Sequence, residues 1–166
     1  MTAAVRLAKP VDAAAVEQVR FAAWQAAYGR LVPAEYFEQF DHAAAVTRWR
    51  DSIANGTRHA HVAELDGEIV GFCSYGPCRD DDLPAAGEIY AIYVRPEHWS
   101  TGIGRALLPA AIDALQRKPI VLWVLRENSR ARGFYELFGL LPDGASRDTT
   151  LLGDAPLPEV RYRLLH

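Results

Sequence analysis

Apolar residues recur along this chain at two spacings, and the switches between them mark out the elements. Val5–Leu7 reads as a short strand, after which Val16, Val19, Ala23 and Ala27 recur at helical spacing within Ala13–Tyr28. Asp12 stands where a cap or first-turn acid of that helix belongs. Pro33 opens a short second helix through Phe40, and Asp41 caps a third that ends near Gly56. His59–Leu65 and Glu68–Tyr75 are apolar, β-branched or aromatic runs joined by Asp66-Gly67, a strong hairpin signal. Gly76–Gly87, with Pro77, Pro84 and Asp80-Asp81-Asp82, is a loop. Beyond it Ile89–Val94 is a strand, Gly102–Gln116 a helix, Ile120–Val124 a buried strand and Ser129–Leu137 a helix stopped by Gly139. Thr149–Leu152 and Val160–Leu165 are expected to close the sheet as a terminal pair. The order predicts a mixed α/β architecture, with antiparallel strands first and a β-α-β-α unit near the end.

The 166 residues suit a single domain, 1–166, and the 50% apolar and 23% charged composition excludes a disordered or collagen-like chain. No apolar stretch approaches the roughly 18 residues that span a bilayer. Arg6 and Lys9 have no apolar run behind them, so no secretory signal is expected and the protein is placed in the cytoplasm, away from membranes. Cys73 and Cys78 fit neither a zinc pair nor a redox Cys-x-x-Cys and read as free thiols. His59 and His61 share a strand face but lack a third ligand, so no metal is expected. The net charge of −3 gives no reason to expect nucleic acid as a partner. Its distribution is more informative. Arg95 to Arg132 holds seven basic residues against three acidic, while the rest of the chain holds eleven against eighteen. One stretch therefore tolerates an anion, and the remainder attracts a cation.

Inside that basic stretch a strand runs through Pro96 into Trp99-Ser100-Thr101-Gly102-Ile103-Gly104 and directly into an apolar-periodic helix. Glycines at such a junction let backbone approach a ligand, and free N–H groups of a first helical turn favour phosphate. A tight helix-on-strand joint needs the same glycines. There is no Gly-Lys-Ser/Thr for a Walker loop, and Leu107 stands where a dinucleotide fingerprint has its third glycine or alanine. A second cluster follows: strand Val121–Leu125, then Asn128-Ser129-Arg130-Ala131, then Phe134-Tyr135-Glu136-Leu137-Phe138-Gly139-Leu140. On residue type alone, Tyr135 is an aromatic packing with Phe134 and Phe138, or a phenol able to protonate a leaving thiolate of similar basicity.

Strand, Gly-x-Gly-x-Ala-Leu-Leu helix, strand, Asn-x-x-Ala-x-x-Phe-Tyr and Gly-Leu, in that order, resemble the GNAT superfamily of acyl-CoA-dependent N-acetyltransferases. The likeness is close over Gly87–Leu141 and looser over Val5–Tyr75. It implies the GNAT fold, a mixed, mostly antiparallel sheet splayed around a coenzyme A cleft between Ile89–Val94 and Ile120–Val124 and flanked by helices, with acetyl-CoA as co-substrate. It also implies that Gly102, Ile103 and Gly104 bind the pyrophosphate, that Ile92, Tyr93 and Val94 pair with the pantetheine arm, and that Asn128 bonds that arm. Trp99 and Thr101 depart from the family's usual residues, which moves the 3′-phosphate contact to Arg105, Arg130 or Arg132, with Arg95 weaker. Tyr135 takes the place of the general acid and Glu88 that of the base, unless Glu88 is simply a solvated carboxylate at a strand start. Trp24, Tyr28 and Tyr36 fall in the segment that walls the acceptor site, where aromatics suit a cationic amine or pack on the sheet. The Asp triplet lies in a loop able to overhang that site, and Trp49, Trp99 and Trp123 read as packing residues. The activity implied is acetyl transfer to a primary amine of a small molecule by direct attack. The alternatives are transfer to a protein amino terminus or lysine, and acyl-CoA sensing without turnover. A homodimer through terminal strands is a further expectation.

Overall fold

A computed structural model of the chain describes residues 2–116, 118–150 and 156–165. Seven strands form one sheet in the order β1-β2-β3-β4-β5-β7-β6. They are β1 (Ala4–Leu7), β2 (His59–Leu65), β3 (Glu68–Pro77), β4 (Gly87–Val94), β5 (Ile120–Leu125), β6 (Leu141–Thr149) and β7 (Leu157–Leu164). The helices are α1 (Ala13–Tyr28), α2 (Ala34–Glu38), α3 (His42–Ala54), α4 (Ile103–Leu115) and α5 (Ser129–Glu136). Among the described residues no helix is long and apolar enough to cross a membrane.

Both faces of the sheet are covered, so β3 is buried from Ile69 to Gly76 and its sequence reads as a continuous apolar run rather than an alternation. On one face α4 sets Leu107, Leu108 and Ala111 against Cys73, Leu122 and Tyr162. Gly71 makes that close seat possible: a Cβ there would meet Ile103 Cγ2 at 3.0 Å and Leu107 Cδ1 at 3.1 Å. On the other face α1 and α3 bury Val16, Val19 and Trp49 against Val62 and Phe72.

One parallel pairing positions everything that follows. β4 and β5 are in register only at Gly87↔Ile120, Glu88↔Val121 and Ile89↔Leu122, and beyond Ile89 they diverge. The half of β4 that follows, Tyr90 to Val94, is bonded on its other side to β3 and turns a free edge into the gap.

Local differences from the sequence pattern have local causes. Asp12 does not cap α1, because its carboxylate is taken by Arg6 at 2.8 and 3.0 Å and by the Lys9 amide at 2.8 Å. Asp41 does cap α3, accepting from the Ala44 amide at 3.0 Å. The strand expected at Thr149–Leu152 is instead Leu141–Thr149, so the terminal pair begins earlier, and residues 151 and 152 lie outside the described residues. β6 is a polar edge with a register break between Pro142 and Ser146, which hides the period-two signal of a strand. His61 is used within the protein, Nδ1 lying 3.0 Å from the Tyr75 hydroxyl, and burial lowers its pKa. Cys73 is a buried free thiol whose pKa burial raises, and Cys78 is free and half-buried.

Candidate active site

The gap between β4 and β5 opens into a cleft of about 1280 Å³, larger than a typical drug-sized site of roughly 300–1,000 Å³. At one end, Gly102 takes φ = +94°, a left-handed conformation that favours glycine, and no atom lies within 4 Å of where its Cβ would stand. The first bond at the head of α4 runs from the Ala106 amide to the Gly102 carbonyl at 3.1 Å. The amides of Ile103, Gly104 and Arg105 therefore face the cleft mouth without an intrahelical acceptor. The helix dipole adds partial positive charge there, and Arg105, Arg130 and His98 line the same end. A diphosphate suits that donor set, and the open space at Gly102 leaves room for one.

Arg130 stacks on Trp99 with its Cζ 4.3 Å from the ring centroid. Trp99 in turn donates its indole N–H to the Val94 carbonyl at 2.8 Å, so it closes the end of the β4 edge and braces a cation. Arg132, expected beside the 3′-phosphate, is outside the cleft. Two positions along a helix turn a side chain by about 200° from Arg130. Arg132 instead donates to the Tyr162 hydroxyl and the Arg126 carbonyl, both at 2.8 Å. Arg95 is likewise occupied elsewhere, beside Glu97 at 3.9 Å.

The middle of the cleft gathers phenols. Ile92, Tyr93 and Val94 line it from β4, and Tyr135 lines it from α5. Asn128 caps α5, its side-chain oxygen accepting from the Ala131 amide at 3.1 Å, which fixes the helix start and so the direction of Tyr135. Its amide nitrogen donates to the Tyr28 hydroxyl at 3.2 Å, bridging α1 to α5. Trp24 donates its indole N–H to the Tyr93 hydroxyl. Burial pushes the Tyr135 phenol well above its ordinary range, with the nearby Cys73, Tyr93 and Tyr28 adding to the shift. Tyr93 and Tyr28 are raised chiefly by the same desolvation. Tyr135 is thus a phenol that holds its proton, lining a partly enclosed space.

Two expected residues do not reach this space. Glu88 is 1% exposed, but it lies in the paired segment of β4 and β5, before the split. Its carboxylate is held by Arg79, with contacts to the backbone amide at 3.0 Å, Nε at 3.2 Å and Nη2 at 2.8 Å. Tyr36 sits on α2, edge-on to Phe37 at 5.5 Å, in an aromatic group on the outer side of α1. Trp24 and Tyr28 do line the cleft.

The Asp80-Asp81-Asp82 loop is drawn down rather than left open above the acceptor end. Arg161, 6% exposed, donates to Asp80 at 3.0 Å, to Asp82 at 2.9 Å through both nitrogens of its fork, and to Asp143 at 2.6 Å. Trp123 is no mere packing residue: its indole N–H bonds Asp80 at 2.9 Å, Arg147 covers its face at 4.0 Å, and it lines the cleft. Glu159, absent from the sequence reading, lines the cleft as a carboxylate only 7% exposed. A signal for both existed. Glu159, Arg161 and Arg163 alternate with Val160, Tyr162 and Leu164, the mark of a strand with one polar face, and pairing sets Trp123 opposite Arg161 and Leu125 opposite Glu159.

Comparison with known proteins agrees with this geometry. The acetyltransferase (GNAT) family matches residues 21–140. The N-acetyltransferase YuaI of Bacillus subtilis is 28% identical over 94% of this chain and 89% of its own length. A probable N-acetyltransferase of Mycobacterium tuberculosis is also 28% identical, over 96% of this chain and 92% of its own. Among solved structures, the PaiA N-acetyltransferase of Thermoplasma acidophilum in complex with coenzyme A superposes with a TM-score of 0.77 at 19% identity, over 99% of this chain and 100% of that one. Its likeness establishes the fold. A split sheet, a glycine-started helix with free amides and a buried phenol at the split come together with a family match over most of the chain: this protein belongs to the acetyltransferase (GNAT) family and is an acyltransferase.

Proposed function

We propose that the protein moves the acetyl group of acetyl-CoA to a primary amine of a small molecule, by direct attack within a ternary complex. The diphosphate would lie on the amides of Ile103, Gly104 and Arg105, with Arg105 and Arg130 placed for the 3′-phosphate, and the pantetheine arm along the free edge of β4. The thioester supplies an activated carbonyl and a thiolate leaving group. Tyr135 would stand beside the sulfur and give the thiolate its proton. Asn128 and Tyr28, already bonded to each other across the gap, would adjust to receive the arm.

The observation that carries the small-molecule reading is the acceptor end itself. Trp24, Tyr28, Tyr93 and Trp123 wall a recess, and the acidic loop is tied down beside it by Arg161 through Asp80 and Asp82. Aromatic walls favour a compact cationic amine through cation–π attraction. Relatives named for protein acceptors exist, among them a putative ribosomal-protein alanine N-acetyltransferase of Bacillus subtilis, 27% identical over 60% of this chain. The deciding experiment is a thiol-release screen with acetyl-CoA against antibiotics, polyamines, amino acids and peptides. Release with small primary amines and none with peptides is the expected result. Release with peptides alone would overturn the acceptor class, and acetyl-CoA binding without release would favour a sensor.

A further inference from the structure

The acids at the acceptor end are almost all occupied. Asp80, Asp82 and Asp143 are bound by Arg161, and Glu88 is bound by Arg79 before the split. Glu127 lies on the cleft but is exposed to water. Glu159 is different. Its Oε2 accepts from Arg147 Nε at 2.8 Å, while its Oε1 has no hydrogen-bond or ion-pair partner among the described residues. Glu159 is 7% exposed and lines the cleft.

Position adds to this. Glu159 lies on the face of β7 that β5 shares through Leu125, the face of α1, whereas Tyr135 comes from α5 on the opposite face. Both line the cleft together with the same two phenols, Tyr28 and Tyr93. An acid and a carboxylate thus converge on the split from its two sides. The groups around Glu159 are Arg147 from β6, Tyr28 from α1, Tyr93 from β4 and, through Arg147, Asp80 of the loop at 3.7 Å. Leu125, opposite it on β5, is uncharged. The cleft therefore offers donors at the α4 amides and, at its other end, a carboxylate with one oxygen on Arg147.

We propose that Glu159, through Oε1, which has no partner among the described residues, binds the ammonium of the acceptor and takes a proton from it, and that the acceptor is a primary amine on an apolar or aromatic body. The inference rests on the transferase reading above. The neutral amine attacks the thioester carbonyl, a C–N bond forms, and the C–S bond breaks with its electron pair on sulfur. Of the two protons the ammonium loses, one passes to Glu159 and on to water. The other replaces the proton that Tyr135 gives to the thiolate. Arg147 keeps Oε2 engaged throughout and so orients the carboxylate.

The test uses phenethylamine as the probe, with wild-type protein and E159Q, which retains an oxygen for Arg147. Calorimetry of phenethylamine binding to the coenzyme A-loaded proteins is expected to show affinity about 10-fold lower in E159Q. In steady-state acetylation, kcat/KM for the amine is expected to fall about 100-fold at neutral pH with KM for acetyl-CoA unchanged. The deficit should narrow toward about pH 10, where the free amine sheds its own proton. Equal affinity in the two proteins, or a loss of rate that is the same at every pH, overturns the role of Glu159. No binding of phenethylamine to the wild type overturns the acceptor class. Binding by the wild type with no thiol release from acetyl-CoA contradicts the transferase reading instead, and the two calorimetric affinities still decide Glu159.

Discussion

The end of the cleft proposed to hold the diphosphate is made mainly from one run of chain, Val94 to Arg105, joined by Arg130 from α5, and what it offers a ligand is mostly backbone: a left-handed glycine, three amides and a helix dipole. The acceptor end is assembled from α1, β4, β5 and β7, and its recognition is done by side chains, the aromatic walls and one carboxylate. Backbone donors at a helix start depend on conformation and tolerate change in neighbouring side chains. Side-chain walls depend on tertiary registration and can be replaced one by one. A fold built this way keeps one substrate constant and leaves the other free to vary.

Removing Arg161 is the strongest way to break one end and spare the other. Arg161→Ala removes the nearest cation from Asp80 and Asp143, each largely buried, leaving Arg147 and Arg163 at 3.7 Å. Unfolding free energy is expected to drop by about 3 kcal/mol in urea titration. In the cold, where the variant stays folded, affinity for acetyl-CoA should be unchanged. Equal losses at both ends would show that the ends are not separable.

Tyr135→Phe tests the point where the ends meet. A fall in kcat of about 100-fold, with acetyl-CoA affinity unchanged, is expected from steady-state kinetics and calorimetry. The sign of the pH effect follows from the raised phenol, which serves as donor while protonated and loses that capacity only as pH climbs through its folded pKa. The wild-type kcat should therefore show no alkaline fall assignable to a tyrosine up to about pH 10. A fall near pH 9 that vanishes in the phenylalanine variant would contradict the burial argument.

Gly102→Val forces a β-branched residue into φ = +94° and fills the open space beside the amides. A loss of about 2 kcal/mol in acetyl-CoA affinity, about 30-fold, is expected by calorimetry, with KM for the amine little changed. The smallest effect sharpens the assignment of the 3′-phosphate. Arg130→Ala should weaken acetyl-CoA about 5-fold and leave 3′-dephospho-CoA binding unaltered, whereas Arg132→Ala should leave the binding of both unaltered.

The same division decides how much could be read from sequence. The Gly102-Ile103-Gly104 turn is a local device whose residue types and spacing carry its geometry, so it is legible in the sequence, and the Asn128 cap is a local device of the same kind. The helices and the Asp66-Gly67 hairpin were legible for the same reason. Glu88 was misplaced because the point at which β4 and β5 separate is set by packing between distant elements, and three residues of pairing put its carboxylate on Arg79 instead of on substrate. Glu159 went unseen because its partners, Arg147 and the phenols of α1 and β4, are brought to it only by the order of the sheet. Arg132 and Arg130 could not be separated without knowing which face of α5 looks at the cleft, which the Asn128 cap and Tyr162 determine together.

The most direct measurement is a crystal structure of the protein soaked with acetyl-CoA. The diphosphate is predicted on the amides of Ile103, Gly104 and Arg105, with the thioester sulfur within about 3.5 Å of the Tyr135 hydroxyl. Coenzyme density outside the split between β4 and β5, or a sulfur facing away from Tyr135, would contradict the account.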